Sequence, residues 1–175
     1  MPKIVKNIWT LPRYKKEWRN ICALLPIYLS DGTNGSYIFY EDGSIEQVSF
    51  RLSWVIDDLL AYWCSNKTLL QEQSCQIAAQ LGNRHQRRIP LALREDFCLV
   101  PVRARLTSSR NHDANGYVFL NRVKEISQQK EQIGCKISFQ SQVELEVLDS
   151  MRTLKRNLQL AEKMTEYLRK EESLA

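Results

Sequence analysis

Two tight turns followed by a change of periodicity constrain the fold of this chain more than any other feature. Asn34-Gly35 and Asp42-Gly43 separate apolar runs, and such pairs favour the positive φ angles of hairpin turns. From Leu52 onward, apolar residues instead recur at every third or fourth position, which is the spacing of one helical face. The sequence therefore predicts a three-stranded meander followed by an amphipathic helix. The predicted strands are residues 22–29, 36–41 and 44–50.

Two mid-chain helices are predicted from this helical spacing. The first begins near Leu52, with Ser49 or Ser53 as a possible N-cap, and the second begins after Ser65-Asn66. Gly82 stands where a helix ends in left-handed geometry, so the second helix is expected to stop just before it.

Further strands are predicted beyond the second helix. Residues 88–93 and 97–105 are apolar runs joined by a short charged turn, and they contain Pro90 and Pro101. Because proline cannot donate a hydrogen bond to a neighbouring strand, both prolines are expected at edge or bulged positions. The remaining predicted strands are residues 117–126 and 135–140.

A long helix is predicted at the C-terminal end of the sequence. Ser141-Gln142-Val143-Glu144 fits a capping box, and apolar residues keep a three-to-four spacing from Val147 to Leu168. A helix of about thirty residues would be roughly 45 Å long, more than a small domain can cover. Its distal half therefore either pairs with another chain or folds back across the sheet, and the sequence leaves both alternatives open. The residues of the possible oligomerisation seam are Met151, Leu154 and Leu158.

The predicted fold class is α+β. It combines a mostly antiparallel sheet of about seven strands with two mid-chain helices and the long C-terminal helix. The expected organisation is a basic N-terminal arm at residues 1–20, an α+β core at residues 21–141 and the C-terminal helix at residues 142–175.

Positive charge is concentrated in two stretches of the chain, although the formal net charge is only +5. Residues 1–20 hold six basic side chains against Glu17, and residues 82–110 hold seven against Glu95 and Asp96. A concentrated basic surface suits a polyanionic partner. The scattered cysteines are interpreted as small buried apolar residues rather than as disulfides.

Membrane insertion and catalysis are both disfavoured by the sequence. No stretch approaches the roughly 18 apolar residues of a membrane span, and residues 1–20 lack the apolar core of a signal peptide, so a cytoplasmic protein is expected. The two histidines, His85 and His112, stand in polar stretches without the neighbours of a triad or zinc site. Glu95-Asp96 fits a hairpin tip more simply than a metal site. No enzyme activity is therefore expected.

A possible anion-binding face follows from the positions of the arginines. Arg103 and Arg105 stand two residues apart on a predicted strand and so share one face, which Arg88 could join from the neighbouring strand. The polar loop at residues 107–111 would add hydroxyl and amide groups, a combination that suits phosphates and base edges. The alternative is a solvated edge whose charges discourage strand addition.

The order of these segments resembles the ComK family of competence transcription factors, of which the chain would be a divergent member. The resemblance covers roughly residues 22–165. It is carried by SWVIDDLLAYWC after the meander, QIAAQLGNRHQRRIPLAL and FCLVPV in the middle, and GYVFLNRVKEI and ISFQSQVELEVLDSMRTL toward the end.

The resemblance implies a DNA-binding transcription activator of competence, or DNA-uptake, genes. Such a protein would be cytoplasmic and nucleoid-associated, would act as a homo-oligomer without a cofactor, and would bind double-stranded DNA at paired A/T-rich boxes through the minor groove. Arginines suit that groove, and no predicted helix is strongly basic on one face. The candidate DNA contacts are Arg84, Arg87, Arg88, Arg103, Arg105 and Arg110.

Two other functions remain open from the sequence. One is a non-catalytic interaction module that recruits a partner through the C-terminal helix, with the basic region incidental. The other is a nucleic-acid-processing enzyme that depends on a metal near Glu95 and Asp96.

Overall fold

The computed structural model describes residues 11–104, 115–129 and 133–175. Within them the chain forms a six-stranded and a three-stranded antiparallel sheet, with four α-helices. The strands are β1 (Ile21–Tyr28), β2 (Asn34–Tyr40), β3 (Ile45–Val48), β4 (Leu91–Arg94), β5 (Phe97–Arg103), β6 (Asn115–Phe119), β7 (Val123–Gln128), β8 (Cys135–Phe139) and β9 (Glu144–Val147). The helices are α1 (Arg13–Lys16), α2 (Leu52–Leu60), α3 (Lys67–Gln80) and α4 (Met151–Leu174). The predicted α+β class with a mostly antiparallel sheet is confirmed.

The larger sheet has the strand order β3-β2-β1-β6-β5-β4, and both of its faces are covered. Phe97 and Leu99 of β5 pack into a cluster with α2, whereas Val100 and Val102 pack into a second cluster with α4 and the smaller sheet, β7-β8-β9. A strand buried on both faces is apolar at consecutive positions, which explains the run FCLVPV.

The three-stranded meander is confirmed, but its first turn is not at Asn34-Gly35 as predicted. Asn34 and Gly35 lie in β2, where they pair with Tyr28 and Ile27 of β1. The turn instead contains Gly32, which has a φ of +80°. The second turn is where it was predicted, with a φ of +82° at Gly43.

The two mid-chain helices are confirmed. Asn66 caps α3, because its Oδ1 accepts a hydrogen bond from the Leu69 N–H at 3.0 Å, and Gly82 follows this helix with a φ of +83°. Neither Ser49 nor Ser53 caps α2: its N-cap is Arg51, without a side-chain hydrogen bond. The stability of α2 therefore comes from its buried apolar face rather than from a cap.

The predicted strand at residues 117–126 is wrong as a single element. It is two strands, β6 and β7, which belong to different sheets and are separated by a short 3-10 helix at Leu120–Arg122. The Arg122 guanidinium secures this break by donating to the Glu41 carboxylate at 2.7 Å and to the Arg19 carbonyl. These contacts are distant in sequence, so the local apolar pattern does not reveal the break.

The predicted start of the C-terminal helix is also wrong. Ser141-Gln142-Val143-Glu144 does not form a capping box but leads through a turn into β9, in which Leu145 and Val147 are buried and alternate with two exposed glutamates. The helix begins at Met151, nine residues after the predicted start at residue 142. Its cap is Ser150, whose Oγ accepts from the Thr153 N–H at 3.2 Å.

The two prolines lie where the strand pairing ends. Pro90 precedes β4, so this strand is shorter than predicted, and Pro101 lies on β5 beyond Leu99, the position of the last pair between β4 and β5. At Pro101 one side of β5 is free of strand pairing, and its carbonyl accepts from the Asn157 side chain at 3.1 Å. This agrees with the edge position expected for a residue that lacks an N–H.

Helix α4 folds back across the larger sheet, which was one of the two alternatives. Leu154 is fully buried within its own chain and so is not available for a seam with a second chain. Met151 and Leu158 are partly buried against the same cluster. An apolar stripe was correctly identified, but its partner is the sheet, and the oligomeric state stays a prediction.

The cysteines are all free, but only some of them are buried. Cys22, Cys98 and Cys135 lie in the core, where burial raises the pKa of the Cys98 thiol to about 12. Cys64 and Cys75 are exposed, contrary to the expectation for the whole set. Cys75 lies on the exposed side of α3, so its neighbours in the sequence did not indicate whether it is buried.

Candidate nucleic-acid interface

The segment between α3 and β4 alternates between exposed and inward-facing side chains. Arg84, His85 and Arg87 are exposed, whereas Gln86 and Arg88 are partly buried. The same short segment therefore offers cations to solvent and polar groups to the interior. These inward-facing groups determine where the exposed cations lie.

Arg88 forms an ion pair with a buried carboxylate. One Nη of its guanidinium donates to Asp149, whose side chain is only 1% exposed, and the other carboxylate oxygen accepts from the Arg103 N–H at 2.5 Å. Asp149 immediately precedes the capping residue of α4. Arg88 thus neutralises a buried charge and fixes the start of α4 against the end of β5, and it is less available for DNA than its neighbours.

Gln86 adds a second connection between this segment and α4. Its Nε2 donates to the Arg88 carbonyl and to the Asn157 Oδ1, both at 3.0 Å. Asn157 is fully buried, and its Nδ2 donates in turn to the Pro101 carbonyl. Buried polar groups paired in this way hold the three segments in one arrangement.

These connections bring six exposed cations to the same end of the molecule. Arg87 lies between Gln86 and Arg88, and Arg103 is bonded through its backbone to Asp149 and to the Leu148 N–H. The first two turns of α4 start at this point and carry three more cations. We call this set the basic end; its members are Arg84, Arg87, Arg103, Arg152, Lys155 and Arg156, and none of them forms an ion pair with another described residue.

The first of the cations of α4 lies at an unfavourable place for the helix itself. The N-terminal end of a helix carries a partial positive charge, so Arg152 in the first turn opposes it, and no acidic residue stands in that turn. A cation in this position costs about 0.3 to 1 kcal/mol at low salt. The helix dipole and the side chains therefore reinforce one another in attracting an anion.

The predicted contacts have different positions in the structure. Arg84, Arg87 and Arg103 are exposed at the basic end, whereas Arg88 forms an ion pair with Asp149. Arg105, Arg110 and the polar loop at residues 107–111 lie outside the described residues.

Sequence reasoning missed the three cations of α4. Their spacing of three and four residues places them within two turns, and Ser150 followed by Thr153 marks the true start of the helix. Averaged over the longer helix that was predicted, this charge is hidden by Glu162, Glu166 and the acidic residues near the end.

The described part of the N-terminal arm packs down onto the core. Tyr14 is buried, and the Trp18 ring lies 5.3 Å from Trp63 and 5.6 Å from Phe97, centroid to centroid. Arg13 pairs with Asp42 at 2.9 Å. Tyr14, Trp18 and Arg13 therefore attach the arm to the core.

Two adjacent acidic pairs, Asp57-Asp58 and Glu95-Asp96, have partners other than a metal ion. Asp57 accepts from the Lys67 N–H at the start of α3, at 2.6 Å, and Asp58 accepts from Tyr14 and Lys15, both at 2.7 Å. The hairpin-tip residues Glu95 and Asp96 pair with Arg169 and Arg94, respectively. In the part of the chain that the structure describes, no group of three or more His, Cys, Asp or Glu residues could hold a metal ion.

Comparison of the chain with protein-family models, curated proteins and solved structures finds no match. None of the helices among the described residues combines the length and apolar character needed to cross a membrane.

Proposed function

We propose that the protein binds double-stranded DNA through the basic end and acts as a transcription activator of the ComK type. The observation that carries the proposal is the clustering of six exposed cations, from three separate segments, around the buried Asp149 carboxylate. Lysine and arginine contacts to phosphates supply most of the sequence-independent affinity for DNA. A surface that only had to remain soluble would not require Arg152 in the first turn of α4, where it opposes the helix dipole.

The composition of the basic end favours arginine-specific contacts. Five of its six members are arginines, whose planar guanidinium groups enter a narrow A/T-rich minor groove, where the negative potential is enhanced. Arg84 and Arg87 stand on a short exposed segment, and Arg103 stands at a strand end. A groove-inserting segment combined with flanking phosphate contacts fits A/T-rich promoter sites better than a single recognition helix does.

The finer parts of the proposal come from the ComK resemblance. They are recognition of paired A/T-rich boxes, binding as a homo-oligomer, activation of competence genes and location at the nucleoid. The interaction-module alternative is less favoured, because the apolar side of α4 packs against its own sheet.

A salt series on matched duplexes tests the proposal. Fluorescence anisotropy would measure the affinity of the full chain for an A/T-rich and a G/C-rich duplex between 50 and about 300 mM salt. We expect tighter binding to the A/T-rich duplex and a steep loss of affinity with salt, because each phosphate contact releases counterions. Equal affinity for both duplexes would contradict groove selectivity, and absence of binding at low salt would contradict DNA binding altogether.

Two double variants test the position of the interface. Arg84→Ala with Arg87→Ala removes two exposed cations of the basic end and should lower the salt slope by roughly 2. Lys163→Ala with Lys124→Ala removes the same charge from exposed positions elsewhere and should change the salt slope little. If both double variants weaken binding equally, total charge rather than the basic end governs the interaction.

A further inference from the structure

A cavity lies at the end of the β4-β5 hairpin opposite to the basic end. Arg94, the last residue of β4, lines it, and Trp18 in its wall packs on Phe97, the first residue of β5. Arg103 of the basic end is the last residue of β5, roughly 20 Å away along the strand. The cavity, with a volume of about 330 Å³, has no lining residue in common with the basic end and is separate from the proposed DNA surface.

The walls of this cavity carry more positive than negative charge. Four cations line it, namely Lys15, Lys16, Arg19 and Arg94, together with the single carboxylate Asp58. Asp58 pairs with Lys15 at 2.7 Å, and Asp96 behind the wall pairs with Arg94 at 2.8 Å and lies 4.0 Å from Arg19. Two carboxylates thus face four cations, which leaves an excess of two positive charges. A phosphate monoester carries about −1.5 to −2 near neutral pH.

The same cavity exposes aromatic rings. Tyr62 is 83% exposed at the rim, and its ring contacts Trp63 edge-on, with 5.1 Å between ring centroids. Trp63 in turn packs against Trp18 and Phe97, so the platform beneath Tyr62 is anchored in the core. The Arg19 guanidinium lies over the Trp18 ring at 4.6 Å. A planar ring can stack on such a platform while an attached anion reaches the neighbouring cations.

We propose that this cavity binds a nucleoside monophosphate. The phosphate would lie among Lys16, Arg19 and Arg94, and the base would stack against Tyr62. The volume is at the lower end of the range for small-molecule sites, which suits a mononucleotide rather than a dinucleotide. The proposal is independent of DNA binding, because none of these residues belongs to the basic end.

Isothermal titration calorimetry of the full chain tests this site. The probes are AMP, GMP, CMP and UMP, each compared with its nucleoside and with inorganic phosphate. We expect at least one nucleotide to bind at least tenfold more tightly than either its nucleoside or phosphate. Saturable binding of none of the four would overturn the proposal, and so would equal affinity for phosphate alone, because stacking would then contribute nothing.

Variants locate the binding. Tyr62→Ala and Lys16→Glu both replace exposed side chains, and each should weaken nucleotide binding at least tenfold while the circular dichroism spectrum stays unchanged. Lys124→Glu reverses an equally exposed charge on β7 and should leave the affinity within twofold, as should Arg84→Ala with Arg87→Ala. Nucleotide binding that survives both cavity variants, or that is lost in the basic-end variant, would overturn the site.

Discussion

Arg88 and Asp149, which are 61 positions apart in the sequence, form an ion pair that joins the segment after α3 to the start of α4. The Asp149 carboxylate also accepts from the Arg103 N–H, so one buried group holds three parts of the basic end together. A buried carboxylate is costly unless it is paired and hydrogen-bonded in this way. The ion pair therefore fixes the positions of neighbouring residues.

Replacement of Asp149 by alanine should destabilise the fold on the order of 3 kcal/mol. The substitution leaves the partly buried Arg88 guanidinium and the Arg103 N–H without their acceptor. Urea unfolding at pH 7 would measure the loss. Glu95→Ala is the control, because its pair with Arg169 is exposed and 3.9 Å long, and it should change the free energy of unfolding by less than about 0.5 kcal/mol. Similar losses in the two variants would contradict the assigned importance of Asp149.

Reversal of charge at Arg152 should affect stability and DNA affinity in opposite directions. Arg152→Glu places an acidic side chain in the first turn of α4 and should raise the free energy of unfolding by up to about 1 kcal/mol. The same change should weaken DNA binding roughly tenfold, because a proposed phosphate contact becomes repulsive. Thermal unfolding and fluorescence anisotropy would measure the two effects.

Lys163→Glu is the matched control for this pair of measurements. Lys163 is an exposed cation of the same helix, about 16 Å further along, beyond the reach of the terminal dipole. We expect little change in either quantity. Equal losses of affinity in the two variants would indicate that binding depends on the charge of the whole helix.

The apolar stripe of α4 should be needed for folding within one chain. Leu154 is fully buried, so Leu154→Ala should cost about 2 to 5 kcal/mol by urea unfolding. Leu158 is only partly buried, and a charge there tests the oligomerisation seam more cleanly. If Leu158→Glu leaves the sedimentation mass of a dimer unchanged, the seam does not involve this side of the helix.

Attachment of the N-terminal arm should weaken in acid through Asp58. Burial acts to raise the pKa of this carboxyl, but hydrogen bonds from Lys15 and Tyr14 outweigh it and hold the pKa below its ordinary value of 3.8. The charged form therefore stabilises the fold above pH 3.8, and this contribution disappears as the pH falls through the lower folded value.

A pH series of thermal unfolding would test the Asp58 contribution. The difference in Tm between the unmodified chain and Asp58→Asn should be largest at neutral pH and should vanish at the acid end. Glu72→Gln, at an exposed position of α3, should show no comparable trend. A difference that persists at the lowest pH would mean that the ion pair with Lys15 is not its cause.

The early part of the fold was readable because its signals are local. The turn residues Asp42-Gly43, the helical spacing after Leu52, and the cap at Asn66 each act within a few residues. Asn34-Gly35 was misleading, because both residues pair with β1 inside β2 and the first turn contains Gly32. The errors arose where distant contacts override such signals. Arg122 breaks one apolar run into two strands, and β9 replaces the first turn expected after Ser141 because Leu145 and Val147 can be buried beside β8.

The sequence by itself determined the fold class, the two mid-chain helices and the concentration of arginines after Gly82. Only the tertiary structure decided that Arg88 faces a buried carboxylate while Arg84 and Arg87 face solvent, and that Arg152, Lys155 and Arg156 belong to the same end. The physical reason is that periodicity acts within single elements, whereas pairing between a charge and its partner depends on segments that are brought together only by folding.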